Sequence, residues 1–224
     1  MSDDSRLDHA RTLYEQTVFG GDEKALPAAE RDLDGVEADL ALARGRLLHA
    51  RFLADRREEP RELALFERAA ELYRRLGDGR GEGEALFWVG TFHQVVRDNE
   101  DLALPALERS YELATRAGDK LTLSYAARHL GFAEGKAGRF DGARNRLEES
   151  VRLRREIGFE PGVAAGLLAL SELARHDGRD DDARELLEEA DKVATSSSAN
   201  GIRHWIAEAR AELDQPARSP TGQG

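Results

Sequence analysis

The sequence predicts an all-α array of stacked helix hairpins, and three observations support this fold class. A glycine recurs at one point of a long pattern, at Gly77, Gly118 and Gly158, with Ser198 at the next step, so the intervals are 41, 40 and 40 residues. Within each period, small and aliphatic residues recur at helical steps of three and four. Aromatic residues make up only 6% of the chain, which indicates a core of small and medium aliphatic side chains. A fixed period of this length is typical of repeat arrays.

Each period divides into two helix-length halves joined by a short turn. In the third repeat, Gly138 separates the halves and is expected to adopt the left-handed conformation of a helix end. Gly131 and Ala143 are predicted to face each other within this hairpin, because small residues let helix axes approach to ~8 Å. Ala103, Ala143 and Ala183 are 40 residues apart, which places the same small residue in three successive hairpins.

The remaining elements follow in order along the chain. We expect a break near residue 35, which gives eleven helices in total. Pro105 lies inside a predicted helix over residues 100–117, and since proline removes a backbone donor, it predicts an irregular first turn or a kink there. The predicted segments are a divergent N-terminal hairpin at 1–35, four hairpins at 36–198, a capping helix at 199–214 and a disordered tail at 215–224.

Charge patterning assigns the outer faces of these helices. Arg152, Arg154 and Arg155 alternate with glutamates at the spacing of solvated helix surfaces, so we assign all three to the exterior. A leucine at position 154 is therefore expected to change the free energy of unfolding by less than ~0.5 kcal/mol. Trp88 and Trp205 are predicted to pack against neighbouring hairpins, and the alternative for Trp205 is a homodimer contact on the capping helix.

Composition limits the classes of function. The formal net charge is −11, which disfavours direct binding to nucleic acid. The chain has no cysteine and no apolar run long enough to span a membrane, so we predict a cytoplasmic protein with no membrane partner. Nucleotide-binding and hydrolase motifs do not occur, and the six histidines are isolated from one another. We therefore expect no enzyme activity, no metal and no cofactor.

The phased residues resemble the tetratricopeptide repeat family. The matching positions are Val89-Gly90, Ala103 and Leu107 in the second repeat, Leu130-Gly131, Ala143 and Leu147 in the third, and Leu170-Ser171, Ala183 and Leu187 in the fourth. The period is near 40 residues rather than 34, a longer form common among bacterial and regulatory members. The resemblance implies a right-handed superhelical solenoid with a capping helix. His93 stands where the family has a tyrosine, which implies a packed, hydrogen-bonded core histidine.

The resemblance also implies a ligand groove on the concave side, lined by the first helix of each hairpin. Aligned to that face, the chain offers a mildly basic strip mixed with aromatic residues, the composition of binding hot spots. Such a strip suits an extended peptide with an acidic or carboxylate-bearing segment. The candidate groove residues are Phe87, Thr91, Gln94, Tyr125, Arg128, Phe132, Lys136, Glu172 and Arg175.

Two functions remain open on the sequence alone. The first is a non-catalytic protein- or peptide-binding adaptor, a stand-alone relative of sensor modules in bacterial regulators. The alternative is a self-assembling structural module, a homo-oligomer with no separate ligand groove. The repeat pattern does not identify the partner in either case, because repeat arrays of one architecture bind many different proteins.

Overall fold

The structure is a computed structural model that describes residues 4–214, and no β-strand occurs in that range. The tail predicted at 215–224 lies outside the described residues. The described part contains ten α-helices: α1 (Ser5–Gly20), α2 (Leu26–Asp55), α3 (Arg61–Leu76), α4 (Gly79–Thr91), α5 (Glu100–Ala117), α6 (Lys120–Lys136), α7 (Phe140–Glu156), α8 (Glu160–His176), α9 (Asp180–Ser196) and α10 (Asn200–Leu213).

The chain divides into two compact units, Met1–Thr122 and Leu123–Gly224. In the first unit, α2 packs against α1 and α3, α3 packs against α4, and α4 packs against α5. In the second unit, α7 packs against α8, α8 against α9, and α9 against α10. In both units these contacts join helices that are neighbours along the chain, and the prediction of an all-α solenoid of helix hairpins is confirmed.

The recurring turn position adopts a left-handed backbone. Gly77, Gly118 and Gly158 end their helices with φ of 74°, 67° and 69°, and Ser198 takes the same conformation with φ of 56°. Glycine reaches this region without a steric penalty from a Cβ atom, whereas other residues reach it at a cost. The glycine repeat that predicted the fold thus marks the sharp turns between successive hairpins.

Small residues on facing helices set the close packing inside each hairpin. A Cβ atom added at Gly131 would lie 3.1 Å from Leu147 Cγ and 3.3 Å from the carbonyl oxygen of Ala143, so the predicted contact between α6 and α7 exists. The equivalent Gly90 on α4 is tighter, because its Cβ would lie 2.6 Å from Leu107 Cγ on α5. Only glycine fits at Gly90 without a shift of the neighbouring side chain.

The prediction of eleven helices is wrong, because the expected break near residue 35 does not exist. The single helix α2 runs for 30 residues through Gly35. Gly35 is buried, and a Cβ atom there would approach Arg6 Nη1 to 3.2 Å, so the glycine serves close packing rather than a turn. A short 3₁₀ turn at Glu23–Ala25 leads into α2 instead.

The irregularity expected at Pro105 lies earlier in the chain. Helix α5 is continuous from its first residue with Pro105 inside it, and Asn99 Oδ1 caps it by accepting from Leu102 N at 3.1 Å. The interval of 41 residues between Gly77 and Gly118 is one residue longer than the next interval, and a π-helical turn at Phe92–Val96, which follows α4, absorbs this extra residue. Asp98 then makes the left-handed turn with φ of 47°. A π turn accommodates one additional residue without breaking the preceding helix.

Substitution of the two hairpin glycines tests this packing. We expect Gly90→Ala to lower the free energy of unfolding by about 1–3 kcal/mol because of overpacking, and Gly131→Ala to lower it less, since its neighbours leave more room. Urea denaturation followed by circular dichroism measures both. Gly201→Ala on α10 is the control, because its added Cβ meets nothing within 4 Å. Equal effects at all three positions would contradict the assigned contacts.

Candidate functional site

The candidate groove residues of the first unit are buried. Phe87 and Thr91 lie on α4 and Gln94 lies in the π turn, and the three keep 3%, 3% and 6% of their surface exposed. The Phe87 ring meets the ring of Trp88 edge-on at 5.1 Å, and Gln94 Nε2 donates to Glu100 Oε2 at 3.0 Å. These side chains therefore contribute to packing and to a hydrogen bond that orders the turn before α5.

The candidates of the second unit lie on α6 and α8 and are more accessible. Tyr125, Arg128 and Phe132 follow one another along α6 and are each half-buried. The guanidinium carbon of Arg128 is 4.6 Å from the centroid of the Phe132 ring, a cation–π contact. Arg128 Nε is buried and has no hydrogen-bond partner among the described residues. Burial lowers the pKa of Arg128, and the carboxylate of Glu172 on α8 opposes this shift.

The charges of this surface are mixed rather than basic. Arg175 Nη2 on α8 is 3.4 Å from Glu212 Oε2 on α10, so a carboxylate already offsets the charge of Arg175. Glu172 is exposed beside Arg175, and its carboxylate favours the charged form of Arg128 and so raises the pKa of that arginine. Lys136 is exposed at the end of α6. The sequence did not indicate Glu212, because it lies on the predicted capping helix, away from the helices that line the predicted groove. We call Tyr125, Arg128, Phe132, Lys136, Glu172 and Arg175 the α6–α8 strip.

Arg154 lies directly beneath this strip, which contradicts its assignment to the outer face of α7. It keeps 1% of its surface exposed, and its Nη1 donates to the carbonyl oxygen of Gly162 on α8 at 2.8 Å. Its Nε donates to Ser124 Oγ at 3.3 Å, and its guanidinium carbon lies 5.1 Å from the Tyr125 ring centroid. Burial, together with the nearby charge of Arg128, lowers the pKa of Arg154.

A helical spacing in the sequence could have revealed the burial of Arg154. Leu147, Ser150 and Val151 are buried on α7, and Arg154 continues their steps of three and four residues. The charge of Arg154 favoured its assignment to the solvent-exposed face of α7, because fully buried arginines are rare. Gly162 provides the room, since a Cβ atom there would lie 3.0 Å from Arg154 Cδ.

The two tryptophans differ in their surroundings. Trp88 packs inside the first unit, where its ring stacks on Phe66 at 5.5 Å and meets the His49 ring edge-on at 5.3 Å. Trp205 keeps 47% of its surface exposed, so the prediction that it is packed is wrong. The adjacent Ile206 fills the buried side of α10, and a neighbour on a helix points about 100° away.

The first unit contains buried polar side chains on α2, on α3 and in the π turn. His49 Nδ1 and Glu62 Oε1 are 2.8 Å apart, and both residues are buried. His93 is also buried, which agrees with a packed histidine, but its Nδ1 has no hydrogen-bond partner among the described residues. Burial lowers the pKa of His93, the nearby Arg97 lowers it further, and Glu67 opposes both.

Residues 4–214 hold no group of three or more histidine and acidic side chains placed to share a metal ion. None of the helices in this range is long and apolar enough to cross a membrane.

Comparison with known families identifies the repeat. The tetratricopeptide repeat model matches residues 122–196, the segment that comprises almost all of α6 and the whole of α7, α8 and α9. This match confirms the predicted tetratricopeptide repeat family for these residues, which carry the α6–α8 strip. No curated protein matches the chain.

Replacement of Arg154 tests its buried role. We expect Arg154→Ala to lower the free energy of unfolding by about 2–4 kcal/mol, because it leaves a cavity and unpaired polar groups at Ser124 and Gly162. Arg154→Met should cost less, since it fills the space without burying a charge. Arg152→Ala on the exposed face of α7 is the control, with an expected change below ~0.5 kcal/mol. Chemical denaturation measures all three, and a harmless Arg154→Ala would contradict the burial.

The lowered pKa of His93 predicts a pH dependence of stability. As pH falls below the ordinary histidine pKa of about 6.5, the unfolded chain binds this proton before the folded chain does, so the free energy of unfolding decreases. Urea denaturation at pH 7.5 and at pH 5.5 should show a smaller decrease for His93→Gln than for the native chain. His204→Gln, on exposed α10, should behave like the native chain. An unchanged decrease in His93→Gln would refute the assignment.

Proposed function

We propose that the chain is a non-catalytic protein- or peptide-binding adaptor whose ligand docks on the α6–α8 strip. Tetratricopeptide repeats mediate protein–protein interactions and serve as scaffolds, and residues 122–196 match this family. One observation supports the choice of this surface. The guanidinium of Arg128 lies against the Phe132 ring, and the buried Nε of Arg128 has no hydrogen-bond partner among the described residues.

The charges of the strip define the expected ligand. A buried donor without a partner is unfavourable, and an anionic acceptor from a ligand would satisfy it and stabilise the guanidinium charge that burial disfavours. Because Glu212 pairs with Arg175, the charges that remain on the strip are the two cations Arg128 and Lys136 and the one anion Glu172. We therefore propose a peptide segment with one carboxylate directed at Arg128 and apolar atoms against Tyr125, rather than a densely acidic segment.

The absence of cysteine suits a reducing compartment, so we place the adaptor in the cytoplasm. The long repeat supports a relationship to the sensor modules of bacterial regulators, in which a repeat array receives a protein or peptide signal. The candidate residues of the first unit are not part of the proposed surface, because they are buried.

A peptide library displayed on phage, selected against the full chain, tests this function. We expect the selected peptides to share a carboxylate, and we expect Arg128→Met to raise their dissociation constant at least ~10-fold in calorimetry, since a charge-assisted hydrogen bond contributes about 1.5–3 kcal/mol. Methionine keeps the aliphatic packing on Phe132, and Arg152→Met is the matched control on α7. Native affinity of folded Arg128→Met would exclude the strip as the binding site, and a library without selected peptides would exclude the ligand class.

A further inference from the structure

The helix α2 exposes a row of leucines on the side opposite to its own core. Leu26, Leu33, Leu40 and Leu47 are seven residues apart and keep 44%, 48%, 48% and 65% of their surface exposed. A monomer normally covers a contiguous apolar row of this kind.

The residues between these leucines complete a coiled-coil seam. Val36, Ala43 and Ala50 each follow a leucine by three residues and precede the next apolar position by four, the alternation typical of two helices packed side by side. Ala43 and Ala50 are exposed and Val36 is half-buried. The opposite side of α2 packs into the first unit through Ala38, Leu42, Gly45 and Phe52, so the helix is apolar on two faces.

The charges along α2 change sign at the middle of the helix. Residues 26–40 contain five acidic residues and one arginine, whereas residues 41–55 contain three arginines and one acidic residue. The row that flanks the seam follows the same order, with Glu30 and Glu37 in the first half and Arg44 and Arg51 in the second. Against a parallel copy of α2, like charges would meet along the seam. Against an antiparallel copy, the acidic end of this flanking row meets the basic end of the same row in the second copy.

We infer that the exposed face of α2 is a self-association surface, on which a second copy of the chain docks with its α2 antiparallel. The charge reversal identifies the occupant, because a helix with this pattern is complementary to itself about a twofold axis. This inference goes beyond the proposed peptide-binding function and uses a different helix, so the failure of one leaves the other intact.

The spacing of large and small residues sets one register for the pair. With Leu40 opposite Ala43 of the second copy, Leu33 lies opposite Ala50 and Leu47 lies opposite Val36. A large side chain then meets a smaller one at each layer, the arrangement that fills a helix–helix interface at an axial separation of ~8–10 Å. The same register brings Glu37 beside Arg44 and Glu30 beside Arg51 of the second copy. The apolar layers and the charge pairs thus agree on a single alignment.

Sedimentation velocity of the full chain tests the surface. We expect the native chain, at tens of micromolar, to sediment with twice its mass of 24.8 kDa. The variant Leu40→Glu with Leu47→Glu should sediment as a monomer with an unchanged helical circular-dichroism spectrum. Leu102→Glu on α5 is the matched control, because this leucine is equally exposed at 52%, and it should remain dimeric. A monomeric native chain, or a dimer that survives both α2 substitutions, would overturn the inference.

A charge swap tests the orientation. Arg51→Glu should weaken the dimer roughly three- to tenfold at low salt, and adding Glu30→Arg to it should restore the native dissociation constant, since the two residues meet only in an antiparallel pair. No restoration would overturn the antiparallel arrangement. Trp205→Ala tests the alternative dimer contact, the exposed tryptophan on α10. A dimer that Trp205→Ala dissociates and the α2 substitutions do not would also overturn the inference.

Discussion

The close approach of paired helices at glycine and alanine is the constraint on which the rest of the structure depends. At Gly90 and Gly131 the partner helix lies so near that a Cβ atom would come within 2.6 Å and 3.1 Å of a leucine side chain. Because these contacts fix the distance between the two helices of a hairpin, they also fix which side chains remain on the outer helix surfaces. The candidate binding residues are positioned by this packing rather than by loops.

In the second unit, the buried side chain of Arg154 packs beneath the α6–α8 strip. Arg154 joins α7 to α6 and α8 through Ser124, Gly162 and the ring of Tyr125. A buried guanidinium is costly to hold, and its hydrogen bonds to fixed backbone and side-chain oxygens offset part of that cost. The contact of Arg154 with Tyr125 fixes the position of this ring, which would lower the entropy lost if the proposed ligand binds there.

Two surfaces of the chain thus have different physical characters. The α6–α8 strip combines aromatic rings with arginines and glutamates, a chemistry suited to recognising a polar ligand segment. The exposed face of α2 is a regular apolar seam with a charge reversal at its centre, a chemistry suited to another helix. An adaptor with both features would present two identical ligand strips per dimer, so a partner with two binding segments would gain avidity.

Beyond α2, the sequence by itself determined the helix hairpins, their order and the turns between them. Gly77, Gly118 and Gly158 marked the turns, because a left-handed φ and a close helix contact both favour glycine wherever they recur. Tertiary structure alone decided the continuity of α2, the place of the extra residue before Pro105 and the burial of Arg154. Each of these depends on which neighbour covers a given helix face. A local pattern gives the period of a helix, but it cannot show what packs against each side.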